Sequence, residues 1–324
     1  MGRQTPLTLA IALTILGLLL TPGAAPLAAP LDKMVYATAA GGAAGIQTAV
    51  IKARRLDERH GILLDLRPFN PAEAEFALLY KKVDTGFFAP TSGVRANLKG
   101  SRLRFIGPSL YSHYSLTAHK NVQARRLEDL KGKRIGTLDR VSGGYNALAV
   151  LCRMLGLDLE KDFRLTIGTP PGLMTFLQRG DVDAANLFDP LTTKLILDGH
   201  REVVRLSDLW MQLTGKPMVL TYLAAHQEWL DANRDVARRF VKTMLDATAV
   251  MRSDPNVFEE KLVRDQIKPR TAQELDMVKE RMPKIYPTTW DQSLVDNGKL
   301  LLQKTVEVGL LERLPEEEMF VILR

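Results

Sequence analysis

The chain has 324 residues, of which 46% are hydrophobic and 25% charged, with one cysteine and a formal net charge of +7. At roughly 100–200 residues per domain this length fits about two domains, and the composition excludes disordered, collagen-like and coiled-coil chains. Cys152 is the single cysteine, so neither an intramolecular disulfide nor a multi-cysteine metal site can form, and the scattered arginine pairs (Arg54-Arg55, Arg125-Arg126, Arg238-Arg239) give no basic stripe for nucleic acid.

At the N-terminus, Arg3 precedes one apolar run, Leu7 to Leu20, and a small-residue and proline segment from Thr21 to Pro30. That order is the one of a secretory signal, and the run is shorter than the roughly 20 residues a spanning helix needs. Residues 1–29 are expected to be a signal peptide, cut between Ala24 and Ala29; a retained anchor is the alternative. No cysteine flanks the segment, so the acylated lipoprotein form is excluded.

After it, short apolar runs alternate with helical patterns, the signature of βαβ units and a parallel sheet. The patterns predict strands at Met34–Thr38, Leu63–Leu66, Val83–Phe88 and Leu103–Ile106, with helices at Ile46–His60 and Glu73–Tyr80. A second stretch repeats the logic, with strands at Arg134–Leu138, Phe163–Ile167 and Val182–Phe188 and helices at Gly144–Leu155 and Leu173–Gln178. Leu148, Leu151, Cys152 and Leu155 fall at i, i+3, i+4, i+7, which makes Cys152 a core residue and not a nucleophile. Met218–Ala224 is one apolar run. From Gln227 the chain reads as helical: one long amphipathic helix carrying Ala237, Phe240, Val241, Met244, Leu245 and Met251, then helices at Pro255–Asp265, Ala272–Arg281 and Gln292–Gly309.

Two pairs of segments about 100 residues apart look alike. Lys33–Thr38 before Gly41-Gly42 matches Lys133–Leu138 before Gly143-Gly144, and Val83–Pro90 matches Val182–Pro190. Chance similarity is one account. Two α/β lobes of similar build facing one another is the other, and ligands of open α/β sheets bind outside the carboxyl ends of the strands.

The run Leu127-Glu128-Asp129-Leu130-Lys131-Gly132-Lys133-Arg134-Ile135-Gly136 resembles the segment that opens the second lobe of periplasmic solute-binding proteins, and Gly180–Ala185 followed by Phe188-Asp189-Pro190 is similar to their strand and loop near the ligand. The closest resemblance is to the nitrate/sulfonate/taurine group, with its binders of thiamine-precursor pyrimidines, which serve ABC importers. The resemblance implies a type II periplasmic-binding-protein fold: two α/β lobes, two hinge crossings near Tyr111–Tyr114 and Leu213–Tyr222, and a helical C-terminal segment. Lobe 1 would be 30–111 plus 222–324 and lobe 2 would be 112–221. It further implies a periplasmic monomer that takes a small solute (an anion, an amino-sulfonate or a heterocycle) and meets an ABC permease. The loop Thr38–Gly42 departs from that family's usual opening and leans toward receptors of TRAP transporters.

Candidate ligand contacts follow the strand ends. Ser142-Gly143-Gly144 can present free N–H groups and the positive end of a helix to an anion; an ordinary serine cap is the bland reading. Thr91 and Ser92 after Pro90 offer the same two readings. Thr38 is a further candidate contact, and Ala40-Gly41-Gly42-Ala43 after it lets a ligand or the opposing lobe approach the backbone closely, or is a plain loop. Asp189 is either a cap carboxylate before Pro190 or a partner for a cationic group. Tyr111, Tyr114 and Phe188 can stack on a flat ligand or simply pack, and His113 can donate to ligand or be structural. No H-x-x-x-H pair, G-x-S-x-G elbow or phosphate loop is present, so no catalytic residue, metal or cofactor is expected. An enzyme on the same scaffold, of the pyrimidine-synthase kind, and an accessory protein that binds another protein remain the alternatives.

Overall fold

The computed structural model describes residues 1–2, 30–39 and 41–324. The expected signal segment therefore lies almost wholly outside the described residues, as does Ala40.

The chain opens as Asp32–Ala39 (β1), Ala43–Ala53 (α1), Leu56–Arg59 (α2), Ile62–Phe69 (β2), Pro71–Leu79 (α3), Thr85–Phe88 (β3), Pro90–Leu98 (α4) and Leu103–Tyr111 (β4). It continues as Tyr114–Ala118 (β5), Arg134–Thr137 (β6), Gly143–Met154 (α5), Arg164–Ile167 (β7), Pro170–Arg179 (α6), Ala184–Phe188 (β8), Leu191–Leu197 (α7), Arg201–Arg205 (β9) and Leu206–Thr214 (α8). Val219–His226 (β10) follows, then Gln227–Ala232 (α9), Arg234–Ser253 (α10), Lys261–Ile267 (α11), Ala272–Arg281 (α12) and Gln292–Glu307 (α13).

The strands form two five-stranded sheets, ordered β2-β1-β3-β10-β4 and β7-β6-β8-β5-β9. Each has a parallel trio and an antiparallel pair: β1 runs parallel to β2 and β3, β6 parallel to β7 and β8, while β10 and β5 run antiparallel to their neighbours. The matched sequence segments occupy equivalent places, β1 with β6 and β3 with β8 at the same positions of their sheets. The chain leaves the first sheet at Tyr111 and enters the second at Tyr114, then returns between Thr214 and Val219, so β10 completes the first sheet from beyond the second.

Each sheet buries its own apolar faces. Leu116, Ile135, Leu148, Leu177 and Trp210 belong to the core of the second sheet, and Cys152 lies fully buried in it. The first sheet has a core on each face, one holding Tyr36, Ile46, Phe240 and Tyr286, the other Phe88, Phe105, Tyr222 and Phe320. The C-terminal tail closes the latter: Phe105 N–H donates to the Met319 carbonyl at 2.7 Å, and the Phe105 and Phe320 rings lie 5.1 Å apart. At about 1.5–3 kcal/mol per buried large apolar side chain, these layers dominate the favourable side of folding.

Three readings change. The helix expected over Ile46–His60 breaks into α1 and α2 because Arg55 adopts a left-handed conformation, φ 49°. The helix expected at Pro255–Asp265 is a 3-10 turn, Pro255–Glu259, followed by α11. Strands β5 and β9 and helix α8 add to the predicted set.

Candidate ligand-binding cleft

The carboxyl ends of β1 and β3 in one half face the start of α5 and the end of β8 in the other. Between them is a cavity of about 40 Å³. Ala39, Gly42, Ala43, Ala44, Pro71, Glu75, Phe87, Leu110, Leu220 and Thr221 line it from the first sheet and its helices; His113, Tyr114, Gly143, Gly144 and Phe188 line it from the other side. The space admits a few water molecules. The halves are drawn together around it: Ser92 Oγ donates to the Val141 carbonyl at 2.6 Å, and Arg95 Nη1 to Asn146 Oδ1 at 2.8 Å.

Two helix N-termini open on the cavity. In α1 the first helical bond runs from Ile46 N–H to the Gly42 carbonyl at 3.0 Å, which leaves the N–H groups of Ala43 and Ala44 outside the helix ladder. In α5, Asn146 N–H reaches the Ser142 carbonyl and Tyr145 N–H reaches Ser142 Oγ at 3.3 Å, leaving the N–H groups of Gly143 and Gly144. Each helix end carries about half a positive charge. Glycine is required at 144: an added Cβ would stand 2.1 Å from Cε1 of Tyr114, whose ring packs against the start of α5.

His113, Tyr114 and Phe188 form one ring cluster, with centroids 5.1 Å (Tyr114–Phe188), 5.4 Å (His113–Tyr114) and 5.7 Å (His113–Phe188) apart. His113 Nδ1 lies 3.1 Å from the Tyr111 carbonyl oxygen. A carbonyl only accepts, so Nδ1 carries the hydrogen and Nε2 is assigned as an acceptor. Burial lowers the His113 pKa, so the ring is neutral at pH 7.

Glu75 brings the cleft a carboxyl that the sequence reading missed. Its Oε1 accepts from Ala89 N–H at 2.9 Å, and its Oε2 is buried with no partner among the described residues. Burial pushes its pKa up to about 8, against the Ala89 N–H, Ser92 and the charge of Arg95. Thr221 is the second omission, its buried hydroxyl also without a protein partner. A signal existed for Glu75: it is the single charged residue in Ala74–Leu79, otherwise an apolar helical run.

Of the expected ligand contacts, Gly42, Gly143, Gly144 and Phe188 line the cavity. Ser142 sits one step behind as the cap of α5, its hydroxyl accepting from Tyr145. Thr91 and Ser92 are buried in the first turn of α4, with Ser92 bound to Val141. Thr38 Oγ1 pairs with Thr48 Oγ1 at 3.1 Å, and Gly41, with φ 67°, donates its N–H to Gln266 Oε1 at 3.1 Å. Tyr111 and Asp189 line a larger, adjoining space of about 510 Å³ with Arg205, Arg281 and Lys284, the two spaces sharing His113. The Asp189 carboxylate is occupied there: Oδ2 accepts from Arg281 Nε at 2.9 Å and Oδ1 from Thr193 Oγ1 at 2.8 Å. Pro190, not Asp189, is the cap residue of α7. Arg281 also grips Glu202 with both terminal nitrogens, at 2.8 and 3.2 Å. Burial pulls the Arg281 pKa down, but the Glu202 hydrogen bonds and the charges of Asp189 and Glu202 outweigh it, and the net direction is up.

Comparison with known proteins adds a family and a set of folds. A family model described as the NMT1-like family matches residues 47–262. No curated protein matches the chain in sequence. Among solved structures, the alkanesulfonate-binding protein SsuA from Xanthomonas axonopodis pv. citri, bound to MOPS, superposes with a TM-score of 0.72 at 18% identity, covering 90% of this chain and 97% of that one. The periplasmic aliphatic sulphonate binding protein SsuA from Escherichia coli gives 0.68 at 18%, covering 87% and 94%. The desulfurization enzyme DSZB gives 0.59 at 16%, covering 87% and 94%. The shared architecture is the two-lobed α/β fold of periplasmic binding proteins.

Proposed function

Because the chain belongs to the NMT1-like family, we propose that it is an exported solute receptor, which closes two lobes on a small polar solute and hands it to the permease of an ABC importer. The observation that carries this reading is the cavity itself, walled by both halves, with helix N-termini from each half at its edge and a ring cluster at its side. The sulfonate-binding proteins among the structural neighbours support it. The lobes are proposed as 30–111 plus 222–324 and 112–221, joined by crossings short enough to act as hinges. Residues 1–29 would direct export and be removed, and the mature protein would act as a periplasmic monomer.

The likeness to DSZB keeps an enzyme in view as the competing reading. Against it stands Cys152, whose thiol is buried and pushed up to about 12, first by burial and then by the charges of Asp158 and Asp162. Thermal-shift measurement on the purified protein with sulfonates, amino-sulfonates, nitrate, amines, heterocycles and carboxylates is the test. A rise in Tm with one class, and no change in that solute after prolonged incubation, supports the receptor. Absence of any shift, or product formation, would refute it.

A further inference from the structure

The cleft holds a carboxyl that the protein leaves unbalanced. Glu75 is 3% exposed, lines the cavity and satisfies one of its two oxygens. The groups facing it do not supply the missing partner. On α4, Arg95 acts on Glu75 through its charge but spends its hydrogen bonds on Asn146 Oδ1 and, through Nη2, on the Leu310 carbonyl at 3.1 Å, and Ser92, which also favours the carboxylate, gives its one hydroxyl hydrogen to the Val141 carbonyl. The Tyr114 hydroxyl on β5 and the Thr221 hydroxyl on β10 line the same cavity, but neither is bonded to Glu75, whose Oε2 has no partner among the described residues. His113 offers an acceptor, and Glu73 on the same helix turns back to the Asn70 N–H at 3.2 Å. Among the described residues no lysine or arginine lines the cavity. A buried carboxyl in this position must keep its proton or be met by a donor that arrives with the ligand.

We propose that Glu75 selects the solute: the cleft takes a small molecule bearing a nitrogen donor, an ammonium or amidine-type N–H, and binding exchanges the proton on Glu75 for that donor. The inference rests on the receptor reading and adds to it the substrate class and a proton linkage. The exchange balances simply. The O–H bond of Glu75 breaks, its proton leaves to solvent, and the carboxylate pairs with the incoming cation. The rest of the solute lies against Tyr114 and Phe188, and an anionic end, where there is one, meets the N–H groups of Gly143 and Gly144. A plain oxyanion would need Glu75 to stay protonated and would release nothing.

The test is isothermal titration at pH 7 in two buffers of different ionisation enthalpy, using matched probes: 2-aminoethanesulfonate against ethanesulfonate, and benzamidine against benzoate. The nitrogen-bearing member of at least one pair is expected to bind ten-fold or more tightly than its match and to release most of one proton per site. Glu75→Gln is expected to weaken that probe ten-fold or more, abolish the release, and leave the plain anion unchanged or tighter. If the variant does not fold, the wild-type proton count decides alone. Equal binding of the plain anions, without proton release, overturns the role of Glu75 and leaves the receptor standing. Binding by neither member of either pair, in a protein that the wider solute panel does stabilise, also overturns it. If the wider panel fails as well, the receptor reading itself falls.

Discussion

Arg281→Met should open the cleft. The Arg281 side chain is 12% exposed and joins α12, beyond the second crossing, to Asp189 and Glu202 of the other half. Without the guanidinium, among the described residues Asp189 retains only the Thr193 hydroxyl as a side-chain donor, and Glu202 retains the Ser115 hydroxyl at 2.6 Å and a distant Arg205 at 3.6 Å. Removing one partner of a buried ion pair costs about 3–5 kcal/mol. Glu202 is partly exposed, so solvent screening reduces the figure to about 2–3 kcal/mol. The penalty falls on the closed form, because lobes that part let water reach both carboxylates. At 1.4 kcal/mol per factor of ten, the closed-to-open ratio falls by about 30- to 150-fold. Dyes on Lys99→Cys and Lys161→Cys, both exposed positions on opposite halves, report the distance by single-molecule energy transfer. The longer distance should gain population, and apparent solute affinity should fall by up to the same factor, since only the closed form holds the ligand. Arg281→Lys should lie between, because an ammonium cannot reproduce the two-pronged grip on Glu202. An unchanged distance distribution with unchanged affinity, in a variant of normal denaturant stability, would refute the clasp.

Three further outcomes are expected. Folding raises the Glu75 pKa to about 8, so the folded state binds more protons than the unfolded one between the ordinary glutamate range and pH 8, and stability falls as pH rises through that window. Glu75→Gln should flatten that slope, as urea unfolding at pH 5 and pH 8 would reveal; parallel slopes in variant and parent would contradict the assignment. The Cys152 thiol should resist a disulfide reagent in the native protein and react at once in guanidinium, whereas fast native labelling would contradict its burial. Gly144→Ala should cost about 1–3 kcal/mol or more by overpacking against the Tyr114 ring, and adding Tyr114→Leu should recover part of that loss. Additive losses in the double variant would show that the ring is not the obstacle.

What was legible in the sequence were features carried by neighbours in the chain. The repeat of Lys33–Thr38 at Lys133–Leu138 foreshadowed β1 and β6, which take the same place in their sheets, and the bounds of α12 match its apolar spacing. Strand β9, Arg-Glu-Val-Val-Arg, was not legible because it is half exposed with two apolar residues, too few to set a period. The break after α1 was not legible either, since nothing at Arg55 marks a left-handed residue.

Site residues divide along the same line. Gly143 and Gly144 read as donors at a helix start because a serine and a glycine pair before an apolar helical run carry that signal locally; the Tyr114 ring that makes Gly144 necessary comes from another strand. Asp189 reads in the sequence as a cap carboxylate or a partner for a cationic group. Its partner Arg281 lies 92 residues on, across the cleft, so its use as a clasp instead of a free ligand contact depends on a pairing no local pattern encodes. Glu75 is the reverse case. In the sequence it is one acid in a helix, and it matters because α3 turns that face toward the other half and because Arg95, whose charge acts on it, spends its hydrogen bonds elsewhere. The chemistry of this cleft is therefore set by which charges the fold has already paired. Arg281 is shared between Asp189 and Glu202 beside the cavity, and the carboxyl left over inside it is the one a solute must answer.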